Sequence, residues 1–158
     1  MGYYRHNRSV RKRVFLFAPV VAIIVTLVCG GLASAGPSPG APREAVLTGA
    51  EVVPAPGDPD GTGMARFSLY PGKNKICYNL SVSNIQPATA AHLHRAPAGQ
   101  VGPVVLNLKV PRDQVRECRR GLSERLIRRI GRHTPNYYVT IHNNEYQQGG
   151  ALRGQLSR

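Results

Sequence analysis

The 158-residue chain is poor in acidic side chains, with 8 Asp and Glu against 21 Lys and Arg. Hydrolysis by a carboxylate pair would have to draw on Glu51, Asp58, Asp60 or Glu145, and nothing in their spacing recommends them. The chain has no Gly-x-Ser-x-Gly nucleophile elbow and no glycine-rich phosphate loop. Its three cysteines form no Cys-x-x-Cys pair, which argues against a thiolate metal site. An enzyme is therefore not expected.

What the N-terminus does have is the pattern of export. Arg5, Arg8, Arg11, Lys12 and Arg13 form a cationic start, Val14 to Leu32 is almost wholly apolar, and Ala33-Ser34-Ala35 is a small-x-small cleavage site. Residues 1–35 are thus predicted to be a signal peptide cut near Ala35. The competing reading is an uncleaved N-terminal membrane anchor, since the apolar run nearly reaches the roughly 20 residues of a span. Pro19 and the Ala-Ser-Ala tripeptide favour cleavage. Either way the remainder lies outside the cytoplasm.

Residues 1–35 contain 5 of the 21 basic residues and no acidic ones, so the rest keeps a clear positive excess. The length beyond Ala35 suits one compact domain. Residues 36–43, Gly-Pro-Ser-Pro-Gly-Ala-Pro-Arg, cannot bury apolar surface and read as a flexible leader, leaving 44–158 as the domain. Cys29 falls in the signal, and an even pair outside the cell, Cys77 and Cys118, is expected to form a disulfide. Two unrelated buried thiols are the alternative.

Short alternating runs dominate the domain. Ala45–Thr48 is a first strand, and Pro54–Gly63 is turn chemistry suited to a surface loop. Met64–Tyr70 and Lys75–Val82 alternate around Pro71-Gly72-Lys73-Asn74 and read as a hairpin. The run containing His92 and His94 follows, then an apolar run from Pro103 to Val110, and finally Tyr137–His142 and Ala151–Leu156. Between Pro111 and His133 the texture turns arginine-rich. Ser123 as N-cap, Leu126, Ile127 and Ile130 at helical spacing, and Gly131 as the stop predict a short helix of about two turns before the penultimate strand. The whole predicts an all-β fold, a Greek-key-like antiparallel β-sandwich with that one helix.

A strand through Thr89-Ala90-Ala91-His92-Leu93-His94 puts both imidazoles on one face, because side chains alternate with a period of two. His142 ends the later Tyr137–His142 run. If the three meet, neutral imidazoles on rigid strands suit one Cu or Zn ion with an open position. The competing reading is a structural cluster bonded to backbone carbonyls or to Asn, Glu or Tyr. His133, among arginines, reads as an exposed loop residue.

Two further groupings are weaker. Arg125, Arg128, Arg129 and Arg132 offer contact with an anionic surface of the envelope or membrane, although a solvated helix face explains them as well. Nucleic acid is disfavoured by compartment and by the lack of aromatics among the arginines. Glu51 and Arg153 are candidates for an ion pair near the sheet end, the simpler alternative being a packed arginine with local partners.

Four segments together resemble the CHRD domain, named after chordin. They are Leu47-Thr48-Gly49-Ala50-Glu51-Val52-Val53-Pro54; Ala90-Ala91-His92-Leu93-His94 followed by Gly99 and Gly102-Pro103-Val104-Val105; Tyr137-Tyr138-Val139-Thr140-Ile141-His142; and Gly150-Ala151-Leu152-Arg153-Gly154-Gln155-Leu156. They stand in the family's order across residues 45–158, and the chain looks like a secreted bacterial single-domain member. The resemblance implies a β-sandwich and an extracellular or cell-surface setting, and it brings no general biochemical activity with it. The departures are the arginine-rich helix and Asn143-Asn144, where the family often has Thr after the histidine. The His-x-His pair is also similar to that of copper–zinc superoxide dismutase. A bimetallic centre of six histidines and an aspartate is nevertheless excluded, because only His92, His94, His133 and His142 lie beyond residue 35.

Overall fold

The computed structural model describes residues 1–2 and 42–158. The expected signal peptide, cleavage site and most of the leader lie outside the described residues. Eight strands form one antiparallel sheet: β1 (Arg43–Thr48), β2 (Thr62–Tyr70), β3 (Lys75–Ser83), β4 (Ala88–His94), β5 (Val104–Leu108), β6 (Gln114–Arg119), β7 (Tyr138–Asn143) and β8 (Leu152–Gln155). Their spatial order is β5-β4-β7-β8-β1-β2-β3-β6. The all-β, sandwich-like fold expected from the alternating runs is what is found, in the form of a single strongly curled sheet.

The curl follows from one short connection. β5 and β6 are the opposite edges of the sheet, yet only residues 109–113 join them. Five residues span at most about 18 Å, far less than the width of eight flat strands at roughly 4.8 Å each. The edges must therefore approach each other. Lys109 N–H donates to Tyr78 Oη at 2.9 Å, and Lys109 Nζ lies 3.8 Å from Glu117 on β6. Inside the curl sit Leu47, Phe67, Ile76, Leu80, Leu93, Val139, Ile141 and Leu152, each essentially inaccessible. These are alternate residues of their strands, so the same periodicity sends the intervening side chains to the outer face.

The hairpin predicted around Pro71 is present as β2 and β3, joined by a 3₁₀ turn at Pro71–Lys73 that ends in left-handed Asn74 (φ 46°). Helix α1 (Glu124–Arg132) follows Ser123 at the N-cap position, as expected, although the Ser123 side chain makes no capping bond, and it buries Ile127 and Ile130. Its end differs from the expectation. Gly131 does not stop the helix, which runs on to Arg132. Thr134 Oγ1 donates to the Ile130 carbonyl at 2.9 Å and Arg43 Nη2 to the Gly131 carbonyl at 3.3 Å, so side chains cap the last turn in place of a left-handed glycine.

Strand β6 falls in the arginine-rich stretch where no strand was expected. Only Val115 in it is apolar, and its pattern is that of an exposed edge guarded by charge. It is a strand because β3 offers it a ladder, with Cys77 directly opposite Cys118. These two cysteines are disulfide-bonded across the pair, with Cα atoms 4.0 Å apart.

Candidate metal centre

β4 and β7 are adjacent and antiparallel, with His92 opposite Thr140, His94 opposite Tyr138 and Ala90 opposite His142. The outward side chains of the two strands therefore interleave as His92, His94, Tyr138, Thr140 and His142. The three imidazoles meet: one ligand nitrogen from each lies within 4.8 Å of the others. Ring centroids are 5.6 Å apart for His92 and His94 and 5.2 Å for His92 and His142.

Backbone carbonyls decide which nitrogen faces the centre. His94 Nδ1 lies 2.8 Å from the Gly102 carbonyl and His142 Nδ1 3.0 Å from the Gln147 carbonyl. A carbonyl oxygen only accepts, so each Nδ1 carries a proton, and in the neutral form of such a ring Nε2 presents a lone pair. Both Nε2 atoms converge on Thr140 Oγ1, at 3.0 Å from His94 and 3.2 Å from His142. One hydroxyl has one proton to give. It satisfies one lone pair and leaves the other facing an oxygen. The His92 side chain makes no hydrogen bond among the described residues.

The surroundings favour the neutral form of His92 and His94. Burial pushes His92 below the usual imidazole range, and the neighbouring His142 and His94 add to the effect. His94 is lowered first by burial, against its bond to Gly102, with His142 and Arg153 lowering it further. Neutral imidazoles with carbonyl-oriented Nδ1–H groups are the form in which histidine ligates a metal.

Arg153 supplies a fixed charge nearby. It is 2 % exposed, its guanidinium carbon sits 3.7 Å over the Tyr138 ring, and the opposite neighbour of that ring is His94, stacked at 4.8 Å. The guanidinium donates to the carbonyls of Gln100 (2.9 Å) and Pro97 (3.4 Å). The ion pair anticipated with Glu51 is not formed: among the described residues no Glu51 contact lies within ion-pair distance, and that carboxylate acts on Arg153 only through longer-range charge. The buried position explains the preference, since two fixed carbonyls solvate the cation where a surface carboxylate does not reach.

Of the arginines of α1, Arg125, Arg128 and Arg132 are exposed and Arg129 is half-buried. Arg125, Arg128, Arg129 and Arg132 line one shallow recess with Glu124 and His133. Arg128 is already engaged, its Nε 2.8 Å from Glu124 Oε1. The sequence reading missed Thr140 and Tyr138 as neighbours of the histidines. The signal was available, because both share the parity of His142 on one strand.

The CHRD domain matches residues 43–156. This chain belongs to the CHRD domain family. The match covers every strand of the sheet and all three clustered histidines. No curated protein and no solved structure matches this CHRD chain significantly.

Proposed function

We propose that this protein is an exported, non-catalytic CHRD module that binds a single Cu or Zn ion through His92, His94 and His142. The observation that carries the reading is the pair of carbonyl-held Nδ1–H groups, which turn two Nε2 lone pairs onto a single hydroxyl that can satisfy only one of them. A cation supplies what the cluster lacks. Around a tetrahedral ion with metal–nitrogen distances near 2.0–2.1 Å the nitrogens stand about 3.4 Å apart. The ligand nitrogens of the triad lie within 4.8 Å of one another, within reach of that spacing by side-chain rotation. The open fourth position would take water or an exogenous ligand. Export is supported by the cationic start, apolar run and Ala33-Ser34-Ala35 of the N-terminus.

Calorimetric titration with Cu(II) and Zn(II) tests the site. One ion per chain is expected, with binding lost in the His92→Ala, His94→Ala double variant. A double variant that binds as tightly as the parent removes the proposal. The second reading, a structural or adhesive envelope module, draws on the Thr140 hydroxyl of β7, which lies within hydrogen-bond distance of His94 on β4 and of His142 and can donate to one of them. It requires the double variant to lose stability in the absence of any metal.

A further inference from the structure

At the end of α1 remote from its Ser123 cap, Arg95, Arg129, His133, Asn136 and Tyr137 line a recess of about 350 Å³. Every one of these side chains can donate a hydrogen bond, and none finds a protein acceptor among the described residues. Arg95, His133 and Asn136 are exposed and can turn to water. Tyr137 cannot. The residue is 0 % exposed, and its buried hydroxyl has no partner among the described residues.

An orphan hydroxyl at such a place is uncommon, because buried polar groups are nearly always bonded. The charges around it are positive: Arg95 and Arg129 both act on the Tyr137 phenol, partly offsetting the rise that burial imposes on it. The walls are also held in place. Gln155 Nε2 donates to the Ala96 carbonyl at 2.9 Å and to the Pro135 carbonyl, tying the loop that carries Arg95 to the turn that carries Asn136. Arg129 and His133 continue into the neighbouring recess of α1, where Arg125 and Arg132 make no ion pair among the described residues either.

We propose that this recess is an oxyanion site for a phosphoryl group, held between the Arg95 and Arg129 guanidiniums with the Tyr137 hydroxyl as a buried donor. Arginine forks match the oxygens of phosphate, and charge-assisted bonds of this kind are the strong ones. Reaching the hydroxyl requires the wall of the recess to shift, because Tyr137 is 0 % exposed in the ligand-free fold. A second phosphoryl group would fall toward Arg125 and Arg132. The proposal is independent of the histidine cluster, which lies on β4 and β7.

The probe is pyrophosphate, titrated calorimetrically into the full chain in a neutral detergent at constant ionic strength. Arg95→Ala combined with Arg129→Ala should weaken binding at least about tenfold, the loss expected for two charge-assisted bonds. Arg116→Ala with Arg120→Ala removes the same charge from exposed positions elsewhere and should change the affinity less than about twofold. Tyr137→Phe should also weaken binding, with no fall in melting temperature, because it deletes a hydroxyl that bonds to nothing in the ligand-free fold. Equal losses in the two arginine pairs, or full affinity in Tyr137→Phe, overturn the proposal. Co-sedimentation with phosphatidylglycerol vesicles, competed by pyrophosphate, assigns the group to a lipid headgroup. Pyrophosphate binding without vesicle binding assigns it to a free oxyanion.

Discussion

Replacing Thr140 by Val separates the two readings of the histidine cluster. The residue is 3 % exposed, and among the described residues its hydroxyl meets only the Nε2 atoms of His94 and His142. Val keeps the branched shape and removes the oxygen. Because the hydroxyl has a single proton, the metal-free protein loses one net hydrogen bond and gains a second unpaired ring nitrogen, together about 1–2 kcal/mol. For a domain of this size that lowers the melting temperature by roughly 3–10 °C. With metal the expectation reverses. The lone pairs no longer share a competitor, so the affinity for Zn(II) or Cu(II) is retained or rises, and added metal restores stability through mass action. The assay is a pair of thermal melts, with chelator and with metal, alongside calorimetric titration. An unchanged melting temperature with chelator would mean that the hydroxyl holds nothing. Loss of metal binding with the fold intact would refute the argument that the nitrogens converge on an ion through their own lone pairs.

The disulfide closes a separation of 41 residues between β3 and β6. Cys77→Ser with Cys118→Ser should cost about 4 kcal/mol by loop entropy, read as a lower urea midpoint, and a loss below about 1 kcal/mol would show that the ladder alone holds the edge. The lowered proton affinities of His92 and His94 make the folded state bind fewer protons than the unfolded one. Their contribution to stability is complete above the ordinary imidazole value of 6.5 and is lost as the pH falls through the depressed folded values. Melting temperature should drop on acidification below that point, and less so in a His92→Gln, His94→Gln variant; identical slopes would contradict the burial effect. Arg153→Met keeps the stem over Tyr138 and deletes the bonds to Pro97 and Gln100. Amide exchange across residues 97–102 should quicken, and metal affinity should fall about tenfold because the carbonyl that orients His94 loosens; unchanged exchange would break that link.

The legible parts of the fold were those whose signal is local. The β2–β3 hairpin shows strict alternation around Pro71-Gly72, and the start of α1 shows Ser123 ahead of Leu126, Ile127 and Ile130. His92 and His94 on one face follows from period two alone. What was not legible depends on distant neighbours. β6 has almost no apolar face and becomes a strand only because β3 needs a partner at its edge. The end of α1 is fixed by Arg43, far away in sequence, so Gly131 carries no stop signal. For Arg153 the sequence leaves two readings open, an ion pair with Glu51 or a packed arginine with local partners, because it displays carboxylates and hides carbonyls; burial decides for the second.

The loop after β4 explains how an exposed face builds a defined site. Residues 95–103 fold back over the outer side of β4, β7 and β8, and each of these strands fastens them with a side chain that points away from the core. His94 from β4 donates to the Gly102 carbonyl. Tyr138 from β7 accepts from the Gly102 N–H at 3.0 Å. Arg153 and Gln155 from β8 donate to Pro97, Gln100 and Ala96. Gly102 must be glycine here, because a Cβ would lie 2.1 Å from the Arg95 carbonyl oxygen as the loop closes on itself. The clamp thus delivers the carbonyl that sets the His94 tautomer, and it does so with residues whose inward neighbours, Leu93, Val139 and Leu152, are the core. Strand alternation lets one set of strands serve both purposes: changes on the outer face reach the histidine geometry through the loop while the packing inside the curl stays as it is.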